Sequence, residues 1–356
     1  MRWTKLLLLG LAAAMLSVLL VACGDDDDDD TSSSDEPTAA AEADAEAPEP
    51  DGGPAIKLGF STWPGWLPWQ VTEEMGFFEE AGVEVELVWF EGYLDSINAF
   101  AAGQLDGNSQ TLSDTLLSVA AGSDQRIVLT NDNSTGNDQI IVDASITAIP
   151  DLVGKEIGVE AGVVDHFLLA LGLEQEGLTL DDVTIVNLET GAAASAFAAG
   201  QMDAVGVFAP FTTVAMEREG AHVLFTSGDF PGSIPDHLAV SGELVETRPE
   251  AVQRIINAWY MTLDYINENP EEAIAIMAER AGVSVEEYEE YDAGTTLFSA
   301  EEAAAAYTSG EDFSHLDYAA REIATFLLET GFVEDEIDVT KVLDGSFTNA
   351  YLSEMS

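Results

Sequence analysis

"INAFAAGQLDGN" (Ile97 to Asn108) and "ASAFAAGQMDAV" (Ala194 to Val205) share the core Ala-Phe-Ala-Ala-Gly-Gln-x-Asp, seven identities in eight positions. In both, an alanine-rich helical stretch runs into a glycine and then into a short apolar segment. A glycine that closes a helix in the left-handed conformation, followed by a polar turn, is common enough to recur by chance. Seven shared positions exceed what capping needs, so the favoured reading is two similar α/β lobes in one chain.

Outward from these stretches, short apolar runs alternate with longer amphipathic ones. "AIKLGFS", "VEVELVWF", "RIVLTN", "QIIVD", "EIGVE", "VTIVNL" and "DAVGVF" read as strands bounded by turn residues. "PWQVTEEMGFFEEAG", closed by Gly82, and "YLDSINAFAAGQ", closed near Gly103, read as helices. The alternation calls for an α/β fold with largely parallel sheets. After Arg248 the pattern turns mainly helical. The stretch from Ala55 onward, about 300 residues, can fill one large core or two smaller ones.

The first 54 residues differ in kind. Arg2 and Lys5 precede the apolar run Leu6 to Val21, and small Ala22 follows it, so residues 1–22 read as a secretory signal peptide. The run is slightly shorter than the roughly 20 residues that span a bilayer. "LVAC", Leu20 to Cys23, holds the single cysteine of the chain and resembles the bacterial lipobox, in which the cysteine is diacylated and becomes residue one after cleavage. The alternatives are an uncleaved anchor and a secreted protein with an incidental thiol; each puts the mature chain outside the cytoplasm. Residues 23–54 read as a tether. Asp25 to Asp30 repel one another, and Thr31 to Pro54 hold no aromatic or β-branched apolar residue with which to offset ordering entropy. The aspartate block lacks the interspersed glycine and fixed ligand spacing of a calcium loop.

With 67 acidic against 11 basic side chains the net charge is −56, which argues against nucleic acid and against docking on anionic lipid. Such a balance suits a saline habitat, where the Debye length falls to about 3 Å at 1 M salt. His166, His222, His237 and His315 are scattered and show no metal-ligand spacing. No Ser-His-Asp grouping stands out, so no metal, cofactor or catalytic residue is expected.

The order of "IKLGFSTWPG", "EEMGFFEEAGVEVELV", "AFAAGQLDGNSQT", "DLVGKEIGVEAG" and "AAASAFAAGQMDAVGVFAPF", followed by a helical C-terminal part, resembles the periplasmic solute-binding proteins of ABC importers in the nitrate, sulfonate and taurine group (NMT1/THI5-like). The resemblance runs from about Ala55 to at least Glu279. It implies a two-lobed periplasmic-binding-protein (type II) fold with a ligand cleft between the lobes. Residues 55–142 and 236–356 would form lobe one and residues 143–235 lobe two, with crossings near Ile141-Val142-Asp143 and Pro235-Asp236-His237. It also implies a monomer that delivers its ligand to an ABC permease and its ATPase, anchored to the membrane through lipid on Cys23.

Ligands of open α/β sheets gather at the carboxyl ends of strands, where helix N-termini favour anions. In "STWPGWLPWQ", Ser61 and Thr62 offer hydroxyls, and Trp63 and Trp66 are candidates to line the cleft. Trp69, on the following helix, reads as core. Tyr93 opens a helix after Gly92, and Asn108, Ser109, Gln110 and Thr111 present donors after the strand at Leu105 to Gly107. Relatives with sulfonate ligands often carry Gly-Ser-x-x-His in the second lobe. Gly162-Val163-Val164-Asp165-His166 replaces that hydroxyl with a methyl group and adds an acid, so Val163 becomes a candidate wall and Asp165 either a helix-terminal acid or a partner for a cationic or N–H-bearing ligand. Phe208 stands where relatives often have a cleft aromatic.

The resemblance makes an aliphatic sulfonate or similar organic anion the default ligand. The tryptophan loop, Tyr93 and Asp165 favour instead an aromatic heterocycle, pyrimidine- or flavin-like, or an amine in an aromatic cage. Two other classes are a pyrimidine-precursor-synthase-like enzyme on the same scaffold and a ligand sensor.

Overall fold

The computed structural model describes residues 51–355. The expected signal peptide, Cys23 and the aspartate block lie outside them.

Strands β1 (Ile56–Phe60), β2 (Val85–Trp89), β3 (Gly107–Thr111) and β4 (Gln125–Ser134) belong to one sheet. Strands β5 (Gln139–Val142), β6 (Glu156–Val159), β7 (Thr184–Asn187), β8 (Ala204–Val207) and β9 (His222–Thr226) form a second. The chain then returns to the first with β10 (Pro235–Ser241) and β11 (Thr295–Leu297). The strand orders, β2-β1-β3-β10-β4-β11 and β7-β6-β8-β5-β9, repeat one pattern. In each sheet the strand that follows a passage from the other lobe inserts fourth.

The sheets are mixed, which corrects the expectation of largely parallel ones. β1 runs parallel to β2 and β3, and β6 to β7 and β8. β10 and β5 run antiparallel to both neighbours.

The repeated stretch does the same job in both lobes. Gly103 and Gly200 close their helices at φ of 71° and 74°, where a side chain would be strained. Phe100 and Phe197 are buried beside them. Asp106 N–H donates to the Lys57 carbonyl at 2.9 Å, and its carboxylate accepts from Lys57 N–H at 2.8 Å. Asp203 makes the same two bonds to Glu156, both at 3.0 Å. Each aspartate thus pins the start of the strand that stands second in its sheet, β1 or β6.

Several local expectations need correction. Gly76, at φ 76°, splits the first expected helix into Pro68–Glu74 and Phe77–Glu80. Ile141 and Val142 lie within β5 rather than at a crossing, because the apolar run around them is buried as a strand. The first passage between the lobes is residues 135–138 and the second is residues 227–234. Pro235-Asp236-His237 open β10. The two passages are bonded together: Ser134 Oγ and Ser227 Oγ are 2.7 Å apart, Ser227 N–H donates to the Asp138 carbonyl at 2.9 Å, and Ser134 N–H to the Ile234 carbonyl at 3.0 Å. Asp51 to Pro54, assigned to the tether, are docked, since the Arg248 guanidinium holds both the Asp51 carboxylate and the Pro54 carbonyl.

The helical C-terminal part covers both lobes. Helix Pro249–Glu268 packs on the first, with Trp259 buried 4.5 Å from Trp69, ring to ring. Helix Leu316–Glu329 packs on helix Leu112–Ala120 of the first lobe, while Phe326 meets Phe167 of the second at 5.0 Å.

Candidate ligand cleft

The loop after β1 enters the gap between the sheets through a tight turn in which Trp66 N–H donates to the Trp63 carbonyl. That turn aims two indoles inward, Trp63 4% and Trp66 3% exposed. Tyr93, at the first turn of its helix, brings a third ring 5.1 Å from Trp66. Phe208, at the end of β8 in the second lobe, closes the circle at 6.5 Å from Trp63 and 6.2 Å from Tyr93. Edge-to-face contacts of this length are favourable for aromatic pairs. The rings close the space between them down to the room of a single water, about 10 Å³, and it is also lined by Ser61, Thr111, Asp138, Val164, Ile234 and Asp236, so a ligand enters only as the lobes part.

Carboxyl groups back the rings on several sides. Trp63 Nε1–H donates to Asp132 Oδ1 at 3.0 Å, and Tyr93 Oη–H donates to Asp114 Oδ2 at 2.7 Å while accepting from Thr111 N–H at 2.8 Å. Thr111 Oγ1–H donates to Asp236 Oδ1 at 3.0 Å. Asp236 and Asp132 are cross-strand neighbours in the β10–β4 ladder. Burial raises both well above the ordinary carboxylate range; the charge of Asp138 adds to the rise at Asp132, against hydrogen bonds from Trp63 and Asp236, and the charges of Asp132 and Asp138 add to the rise at Asp236. Burial pushes Asp138 up to about 7, against a hydrogen bond from Ser134, and pushes Asp114 up to about 7, against one from Tyr93. No lysine, arginine or histidine lines the space. Two buried polar atoms of lining residues have no partner, Asp138 Oδ2 and Trp66 Nε1. Among the described residues, no group of three or more His, Cys, Asp or Glu side chains is placed to hold a metal ion.

A family model described as NMT1/THI5 like matches residues 63–273, more than half of the chain. The chain belongs to the NMT1/THI5-like family. A protein of Brucella abortus named only as a binding protein is 31% identical over 212 residues, 58% of this chain and 65% of that relative, so the chain spans somewhat under two thirds of its length. A protein of Bacillus subtilis named for binding aliphatic sulfonates is 26% identical over 81% of this chain and 86% of its own. Among solved structures, an alkanesulfonate-binding protein from Xanthomonas axonopodis pv. citri, bound to MOPS, superposes with a TM-score of 0.69 at 19% identity, covering 84% of this chain and all of that one. The likeness to that structure is one of fold, and the NMT1/THI5-like chain has the mixed α/β, two-lobed periplasmic-binding-protein architecture.

Of the residues singled out in the sequence, this NMT1/THI5-like structure gathers Ser61, Trp63, Trp66, Tyr93, Thr111 and Phe208 at the cleft. Thr62 is not among the lining residues. Asn108, Ser109 and Gln110 are not among the lining residues: β3 starts at Gly107, so they are strand residues rather than a loop, and Thr111 at the end of the strand is the one that reaches the space. Asn108 Nδ2 donates to Ser96 and Gln110, Ser109 Oγ accepts from Trp69 Nε1–H, and Gln110 Nε2 donates to Thr115 and Gln125.

In the second lobe Val164, not Val163, lines the space. Gly162 faces Phe332 and Leu117. Asp165 is fully buried, and its carboxylate accepts from Glu160 N–H and His166 N–H, so it serves its own helix end rather than the cleft. The residues missed were Asp138, Asp236, Val164 and Ile234, with Asp132 behind them. The signal available was the run of acids in and after an apolar strand, "RIVLTNDNSTGND", where an uncompensated aspartate is costly.

Proposed function

We propose that the protein is the extracytoplasmic solute-binding component of an ABC importer, held to the membrane through Cys23. It captures a small organic molecule by closing its two lobes and presents the closed form to a permease and ATPase. The observation that carries this reading is the ring of Trp63, Trp66, Tyr93 and Phe208, in which one wall comes from the other lobe. Only the closed arrangement completes it, so a ligand that touches all four shifts the population toward closure. The relatives named for sulfonates make organosulfonates the family default. The lining contains no cysteine, lysine or histidine, which supports capture over turnover.

The test is to titrate the purified protein with candidate solutes while following tryptophan fluorescence and small-angle scattering, then to recover each solute and weigh it by mass spectrometry. Capture gives saturable quenching, a smaller radius of gyration and an unaltered solute. A chemically changed solute would make the protein an enzyme.

A further inference from the structure

We infer that the cleft is built for a small organic cation bearing N–H groups and not for an anion. This deepens the proposed function and rests on it. Two observations carry it independently. Among the cleft-lining residues Asp138 and Asp236 are acids and none is a base, so any charge the walls take up is negative and nothing there meets an anion. Separately, Asp138 Oδ2 is an acceptor without a donor on a residue 1% exposed, and Trp66 Nε1 is a donor without an acceptor on a residue 3% exposed. Buried polar atoms are nearly always paired, so both point to groups that a ligand brings.

The chemistry of the walls defines the class. Asp138 accepts an N–H from a protonated amine or amidinium, whose positive charge offsets the carboxylates of Asp236, Asp132 and Asp114. Trp66 Nε1–H asks for an acceptor elsewhere on the same molecule, such as a hydroxyl, a carbonyl or a ring nitrogen. Trp63, Trp66, Tyr93 and Phe208 supply the aromatic faces that attract a cation. A sulfonate in the same place meets two carboxylates and no positive side chain. At the second-lobe helix the side chain that reaches the cleft is Val164, which offers an anion no donor.

The experiment is isothermal titration of the full protein, at fixed salt, with benzamidine, propylamine, tetramethylammonium and propane-1-sulfonate. The expected result is that benzamidine or propylamine binds, tetramethylammonium binds more weakly for want of an N–H, and the sulfonate does not compete. Asp138→Asn should weaken the amidinium or amine by about 10- to 100-fold, the worth of a charged hydrogen bond. Its ligand-free melting temperature should be unchanged or higher, because a buried charge has been removed. Binding of propane-1-sulfonate as tight as that of the cations overturns the proposal and leaves the solute-binding reading standing. If no probe of either sign binds at millimolar concentration, that reading falls and takes the proposal with it.

Discussion

Asp132 on β4 and Asp236 on β10 stand opposite each other in an antiparallel ladder, both buried and neither in a salt bridge. The pair lies at the root of the passages between the lobes, where Trp63 and Thr111 are their hydrogen-bond donors. Two like charges this close in a dry site oppose ionisation of both, and the consequence is measurable.

Burial raises the folded-state values of Asp132, Asp138 and Asp236 above the unfolded value of about 3.9. Between about pH 4 and pH 7 the folded chain therefore holds protons that the unfolded chain has released, and its stability falls as pH rises through that window. Asp138 alone accounts for up to about 4 kcal/mol. The surface charge adds a slope of the same sign, so the informative comparison is with Asp138→Asn. In urea unfolding the two proteins should match near pH 4 and diverge in favour of the variant above pH 7. Equal pH slopes would show that Asp138 is not buried as a carboxyl.

A cation in the cleft favours the ionised carboxylates, so its binding should release protons and tighten from pH 6 to pH 8. The groups that feel the charge of Asp138 are Asp132, Asp236 and Asp114, none of which gains positive charge in that range. Titrations in two buffers of different ionisation heat count the protons released, and a count of zero contradicts the raised values.

Two tryptophans six residues apart should behave differently. Trp69, packed between Phe78 and Trp259 and bonded to Ser109, is core, and Trp69→Ala should cost about 3–5 kcal/mol. Trp63→Phe removes the Nε1–H that Asp132 accepts and should cost about 1–3 kcal/mol, most of it at high pH, while weakening ligand. Denaturation curves at pH 5 and pH 8 separate the two.

Asp106→Ala removes a carboxylate bond from the start of β1 and Asp203→Ala one from the start of β6, the latter together with a half-exposed contact to Lys155 at 3.7 Å. Each should destabilise by about 1–2 kcal/mol, and because the sites are in different lobes the double variant should show the sum. A large departure from additivity would mean that the lobes do not hold their pins independently.

The lobes were legible in the sequence because strand and helix periods are local, and because the repeated stretch uses glycine where only glycine is unstrained. The aromatic wall was legible too, since Trp63 and Trp66 stand in a polar, proline-containing loop after a strand, while Trp69 on the next helix reads as core. The carboxyl pair was not. Asp132 and Asp236 are about a hundred residues apart in the chain and become neighbours only through the antiparallel insertion of β10, a pairing that no periodicity announces. Asn108, Ser109 and Gln110 misled for the converse reason, as polar residues in a strand look like a loop until side-chain partners such as Trp69 and Gln125 are seen.

The twin pins at Asp106 and Asp203 give the molecule an internal control. One cassette, with one glycine, one buried phenylalanine and one aspartate, forms the same joint on either side of the cleft. Damage done to one copy can be compared with its untouched twin inside the same molecule and the same solvent. An experimenter can thus ask how extreme acidity of the surface alters a single buried joint, with the reference built into the sample.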